Sequence, residues 1–148
     1  MIALGSQEEE RERPLVLVVE DDPSDWHLYG ELLWYNGFDV AHATKGMEAL
    51  RMAAERTPDL VLLDLVLPGM DGLEVCRRLR AIEEMRDVPV VVLTGRSAAE
   101  VEGACMAAGA NRFLQKPTSP LAVLGLVEQL IGRPPLPGTG GEVSGSAS

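Results

Sequence analysis

Between residues 14 and 133, short apolar runs alternate with stretches of helical spacing. Leu15–Val19 reads LVLVV, continuous and rich in branched side chains, as a strand buried on both faces should be. Leu60–Leu63 and Val88–Leu93 have the same character. Phe38–Ala41 is a weaker strand and Arg112–Gln115 a short one. The spacing predicts helices over about 24–36, 45–56, 72–81, 97–108 and 119–131. Gly37 and Gly109 follow helical stretches, where a left-handed cap favours glycine. Pro58 and Pro89 stand at strand entrances, where a missing N–H matters least. Five strands alternating with five helices predict the α/β class, a doubly wound five-stranded parallel sheet covered on both faces.

The flanks differ. Residues 1–13 are polar and charged, and residues 134–148 read PPLPGTGGEVSGSAS. Both are expected to be flexible, leaving 14–133 as the folded domain. The chain has 13 Lys+Arg against 23 Asp+Glu, a formal net charge of −10. That balance argues against direct nucleic-acid binding, which needs clustered cations. No apolar run reaches the roughly 18 residues of a membrane span, and the first residues, MIALGSQEEERE, do not resemble a signal peptide. Cys76 and Cys105 fit neither a zinc motif nor a disulfide framework, so reduced thiols and a cytoplasmic setting are expected.

Ligands of such a sheet bind beyond the carboxyl ends of its strands. Glu20, Asp21 and Asp22 follow the first strand, Asp64 the third, Thr94 and Gly95 the fourth, and Lys116 and Pro117 the fifth. Glu20, Asp21 and Asp64 would converge, and carboxylates so placed repel unless a cation lies between them. An oxygen-only set without His or Cys suits Mg²⁺. Asp64, presented by a rigid strand, can act as a nucleophile toward a phosphoryl group. Lys116 would supply a cation, Thr94 a hydroxyl, and Gly95 room for a phosphoryl oxygen near the backbone.

The segments VVEDDP (Val18–Pro23), DLVLPGMDG (Asp64–Gly72), LTG (Leu93–Gly95), AGA (Ala108–Ala110) and FLQKP (Phe113–Pro117) occur in this order over nearly all of residues 14–133. In these the chain resembles a response-regulator receiver domain of two-component signalling, with the flavodoxin-like strand order 2-1-3-4-5. The resemblance implies that Asp64 is the phosphoacceptor, with Asp21 a direct Mg²⁺ ligand and Glu20 the acid acting through water. The backbone carbonyl of Val66 would complete the metal ligands. The backbone of Val66 and Gly95 would contact the phosphoryl group. Thr94 would be the switch hydroxyl, Lys116 its cationic partner and Phe113 the switch aromatic. The Lys116–Pro117 bond is expected to be cis, and Asp22 is not expected to be a ligand. The implied donor is a sensor histidine kinase or a histidine phosphotransfer protein. The output would pass to a downstream protein target through the fourth helix, fifth strand and fifth helix.

Several positions depart from the family pattern. Val66 and Arg96 flank the phosphoryl site where polar or acidic groups often place the hydrolytic water, so slow autodephosphorylation is expected. Trp26, Gly30 and Trp34 recur at every fourth position of the first helix. With Leu28 and Leu32 assigned to the buried side, both tryptophans are expected on an outward partner surface. On the fifth helix Val123, Val127 and Leu130 are expected in the core, with Leu124 and Leu126 nearer the outside. Most of the charged set used by paired transcription-factor receivers is missing, which leaves a homodimer through helix 5 or helix 1 open. His27 and His42 are expected away from the acids, as surface or packing residues. With about 120 residues filling a receiver, no room is expected for a DNA-binding output domain.

Two other classes fit the residues less well. A small phosphohydrolase with an aspartyl nucleophile usually carries a general acid two residues later, where this chain has Val66. A receiver-like module without phosphorylation would have a broken acid set or no lysine, and neither is broken here.

Overall fold

The computed structural model describes residues 13–134. The flexible segments expected at 1–13 and 134–148 fall almost entirely outside those residues. Five strands, β1 (Leu15–Val19), β2 (Asp39–Ala43), β3 (Leu60–Asp64), β4 (Val90–Thr94) and β5 (Arg112–Gln115), form one parallel sheet in the order β2-β1-β3-β4-β5. Between and after them lie α1 (Pro23–Tyr35), α2 (Gly46–Glu55), α3 (Gly72–Ala81), α4 (Ala98–Ala107) and α5 (Pro120–Ile131). The expected class and strand order are therefore present.

The continuous apolar runs of β1, β3 and β4 have their physical cause in burial on both faces. Leu17, Val19, Val61, Leu63, Val90 and Val92 pack under α2, α3 and α4. Val16, Val18, Leu60, Leu62, Val91 and Leu93 pack under α1 and α5. Edge strand β2 is only half-buried over most of its length, which explains its weak apolar signal. It starts and ends later than expected, at Asp39 and Ala43. β4 starts at Val90 because the Val88 N–H turns back to Met85 O and Pro89 has no N–H to give. A short 3₁₀ turn, Glu83–Met85, precedes it and was not expected.

Local chemistry fixes the helix starts. Asp22, Asp71, Ser97 and Ser119 each accept a backbone N–H at a helix N-terminus. At α4 the Ser97–Glu100 pair is reciprocal. Gly37 and Gly109 do take left-handed φ angles, 97° and 109°.

Two helix faces differ from expectation. On α1, Leu28 is exposed, and Tyr29, Gly30 and Leu33 are buried. Trp26 turns inward over Gly30, where a Cβ would lie 2.7 Å from the indole ring. Its ring stacks on His42 at 4.0 Å between centroids and 10° between planes. Trp26 is half-buried, and Trp34 is 48% exposed beneath the Arg13 guanidinium, 3.9 Å from the ring centroid; both indoles still line one surface hollow with Gly30 and Tyr35. On α5, Leu124 is buried beside Val123 and Val127, and Leu121 is the exposed leucine.

Candidate functional site

β3 ends on Asp64, and the chain then has to turn into α3 without covering the carboxylate. Gly72 permits this: a Cβ there would lie 2.5 Å from Leu65 Cα and 2.9 Å from the Asp64 carbonyl oxygen. The first turn of α3 thus rests directly on the backbone that presents Asp64. The Val66 N–H donates to Asp64 Oδ1 at 3.0 Å and orients the carboxylate. Asp64 is 7% exposed.

β1 ends one residue before Glu20, which is 2% exposed. The Asp22 N–H donates to Glu20 Oε2 at 3.2 Å. Asp21 is exposed. Carboxylate oxygens of Glu20, Asp21 and Asp64 all lie within 4.8 Å of one another. Burial raises the Glu20 pKa from its ordinary 4.5 to about 7; the Lys116 hydrogen bond opposes that rise and the nearby Asp64 adds to it.

Lys116, just beyond β5, reaches across the sheet. Its Nζ donates to Glu20 Oε1 at 2.8 Å, Asp25 Oδ2 at 3.0 Å and Asp64 Oδ2 at 3.3 Å. Burial works against the ammonium charge, but the hydrogen bonds to Glu20 and Asp25 prevail and hold its pKa above the usual lysine value. The Lys116–Pro117 peptide is cis. The Lys116 N–H donates to the Thr94 carbonyl at 2.7 Å, so the ends of β4 and β5 stay together.

Thr94 is fully buried, and its Oγ1 accepts the Arg96 N–H at 3.3 Å. A Cβ on Gly95 would meet nothing within 4 Å, so the space beside it is open. Phe113, opposite Val92 in the β4–β5 register, is half-buried against the apolar layer beneath α4. Val66 is 66% exposed and Arg96 is exposed at the mouth of the site. Asp22 is not one of the clustered acids; it caps α1 by accepting the Ser24 N–H at 2.9 Å.

Two neighbours of the site carry no local sequence signal. Asp25 contributes a third carboxylate to Lys116, a contact spanning 91 residues that no local pattern encodes. His42 was expected away from the acids, yet it lies near the carboxyl end of β2, with its Nε2 2.7 Å from the Glu20 carbonyl oxygen. The β1–β2 register brings it there, pairing His42 with Val18.

The donor set fits a hard divalent cation. It is all oxygen, it includes a buried carboxylate held against its ionised form, and Asp21 and Val66 keep one side open to solvent. Glu20, Asp21 and Asp64 are the side chains that would hold Mg²⁺. Among the described residues no helix is long and apolar enough to cross a membrane.

Known proteins resemble this chain in sequence and in fold. Response regulator MprA of Mycobacterium leprae is 38% identical over 118 residues, which are 80% of this chain and 51% of that protein. The Mycobacterium ulcerans protein of the same name is 39% identical over the same length, 50% of it being covered. The chain thus spans about half the length of the curated relatives it matches. The chemotaxis protein CheY4 of Vibrio cholerae superposes with a TM-score of 0.76 at 28% identity, over 80% of this chain and 98% of that one. The receiver domain of a Pseudomonas aeruginosa sensor histidine kinase, solved with a magnesium ion coordinated in its active site cleft, gives 0.75 at 31%, over 81% and 98%. Residues 16–128 match the family model described as the response regulator receiver domain. With the parallel sheet, the acid cluster and the lysine all in place, the chain belongs to the response-regulator receiver family, a family of signalling domains.

Proposed function

We propose that this chain accepts a phosphoryl group on Asp64 from the phosphohistidine of a sensor histidine kinase or phosphotransfer protein, with Mg²⁺ bound by Glu20, Asp21, Asp64 and the Val66 carbonyl. The observation that carries this reading is the placement of Asp64. It is a buried carboxylate at a strand end, oriented by the Val66 N–H and faced by the Lys116 ammonium, with two further acids within 4.8 Å. In the transfer a carboxylate oxygen forms the new O–P bond as the P–N bond breaks, and the bonding pair leaves on the imidazole nitrogen. Mg²⁺, when bound, supplies positive charge to the phosphoryl oxygens. Lys116 offers its ammonium to the same oxygens, and the Val66 and Gly95 backbone supplies N–H groups.

The acyl phosphate then biases a two-state equilibrium. Thr94 and Phe113 are the residues through which it does so, and α4, β5 and α5 form the face that a downstream protein reads. On the donor side the aromatic surface of α1 is Trp34, 48% exposed, and Tyr35, 71% exposed, with half-buried Trp26 in the same hollow and stacked on His42. The setting is cytoplasmic, where kinase and target are met, and the protein turns over no external substrate.

Treatment with acetyl phosphate and Mg²⁺ tests the reading directly. Intact mass should rise by about 80 Da in the wild type and not in Asp64→Asn. A gain that survives in Asp64→Asn, or no gain in the wild type, overturns it. Followed over time, the adduct should outlast seconds, because the exposed Val66 cannot hydrogen-bond a hydrolytic water.

A further inference from the structure

An ammonium group has three N–H donors. On Lys116 all three have partners, and the partners are three different carboxylates. Two of them, Glu20 and Asp64, belong to the cluster that fits a divalent cation. The third, Asp25, does not. It stands on the first turn of α1, its side chain is one-third exposed, and its oxygen lies nearer Nζ than Asp64 does, at 3.0 Å against 3.3 Å.

This arrangement sets up a competition. The ammonium occupies oxygens of Glu20 and Asp64, the same two side chains that would bind Mg²⁺. Two cations drawn to the same oxygens repel one another, so the incoming ion gains only if the lysine can give way. A buried or half-buried ammonium cannot simply withdraw, because an unpaired charge out of water is costly. Asp25 provides a place to withdraw to. It already holds one N–H, it lies outside the acid cluster, and its partial exposure lets water complete the shell.

We propose that Asp25 is a positioning residue that draws the Lys116 ammonium aside and so makes room for the divalent cation at Glu20, Asp21 and Asp64. The proposal rests on the phosphoacceptor reading of that site and deepens it: the lysine that later meets the phosphoryl group is parked on α1 until then. Asp25 acts through Lys116 and touches neither the metal ligands nor the phosphoryl group. Because it stands on α1, the bond also ties the donor-facing helix to the end of β5.

A double-substitution cycle on Mg²⁺ affinity, measured by calorimetric titration of the full chain, separates this role from a mere loss of negative charge. Asp25→Asn should raise the Mg²⁺ dissociation constant by about three- to tenfold. In a Lys116→Met background there is no ammonium to park, and the same substitution should change it by less than about twofold. Asp25→Glu should restore most of the affinity in the lysine-containing protein. Equal loss in both backgrounds would mean that Asp25 acts only as a distant charge, and no loss in either would mean that it does nothing for the cation; either result overturns the proposal while leaving phosphorylation of Asp64 standing. A wild type that binds no Mg²⁺ overturns the site reading and the role of Asp25 with it. Thermal unfolding of each variant, run alongside, identifies any that fails to fold; should Lys116→Met do so, Lys116→Gln takes its place in the cycle.

Discussion

At the carboxyl edge of the sheet one ammonium faces three carboxylates, whereas near the amino edge one guanidinium faces three backbone carbonyls and a side-chain amide. Lys116 serves Glu20, Asp25 and Asp64. Arg80, near the end of α3, donates to Met85 O and Val88 O at 2.6 Å, Gly109 O at 2.9 Å and Asn111 Oδ1 at 2.6 Å. Asn111 Oδ1 also accepts the Val90 N–H at 2.8 Å, so one cluster pins the entrances of β4 and β5. The difference lies in the acceptors. Neutral carbonyls around a planar fork satisfy it without creating new charge. Carboxylates crowded around one ammonium leave negative charge uncompensated, and that surplus is what a divalent cation can use. One edge is built to stay as it is, and the other to change its charge.

The contrast can be broken most severely at Arg80. Arg80→Ala would strip donors from four acceptors, and a loss of about 3 kcal/mol in unfolding free energy is expected by denaturant titration. The variant should still gain mass with acetyl phosphate wherever it remains folded. Gly72→Ala attacks the other edge through sterics. The added methyl would press on the Leu65 and Asp64 backbone, and about 2 kcal/mol should be lost. Here phosphoryl acceptance should fall as well, because the displaced backbone carries the nucleophile.

The smallest effect has the opposite sign. Glu20→Gln should stabilise the metal-free protein at pH 8 by about 1 kcal/mol, since its surroundings disfavour the ionised form, while Mg²⁺ affinity drops. The pH dependence sharpens the point. Folding raises the Glu20 pKa from 4.5 to about 7, so between those values the folded chain holds a proton that the unfolded chain has lost. Its contribution therefore favours folding at low pH and fades as pH rises from about 4.5 through 7. Glu20→Gln should remove that slope in a metal-free unfolding series, whereas Arg80→Ala should leave it intact.

Much of this molecule is written in local patterns. Parallel strands buried on both faces must be continuously apolar, so β1, β3 and β4 were legible from LVLVV, LVLL and the run ending in Leu93. The carboxyl-edge rule then gathered Glu20, Asp21, Asp64, Thr94 and Lys116 without further information. The phase of α1 was not legible, because apolar residues surround that helix: Trp26, Leu28, Tyr29, Leu32, Leu33, Trp34 and Tyr35. A four-residue step also overshoots a turn by about 40°, so Trp26 leans toward His42 while Trp34 stays more exposed on the same hollow. Asp25, His42 and Arg80 were silent for another reason. Each acts on a partner 5 to 91 residues away, through a reach that only the assembled sheet defines.

The flat stack of Trp26 on His42 has a spectroscopic consequence. Its imidazole touches the Glu20 carbonyl, whereas Trp34 stands in solvent under Arg13. The two indoles of the chain thus differ in their neighbours, one half-buried against an imidazole and the other half-exposed under a guanidinium. Fluorescence from Trp26 should therefore respond to changes beside the acids, and fluorescence from Trp34 to changes at the solvent side of α1.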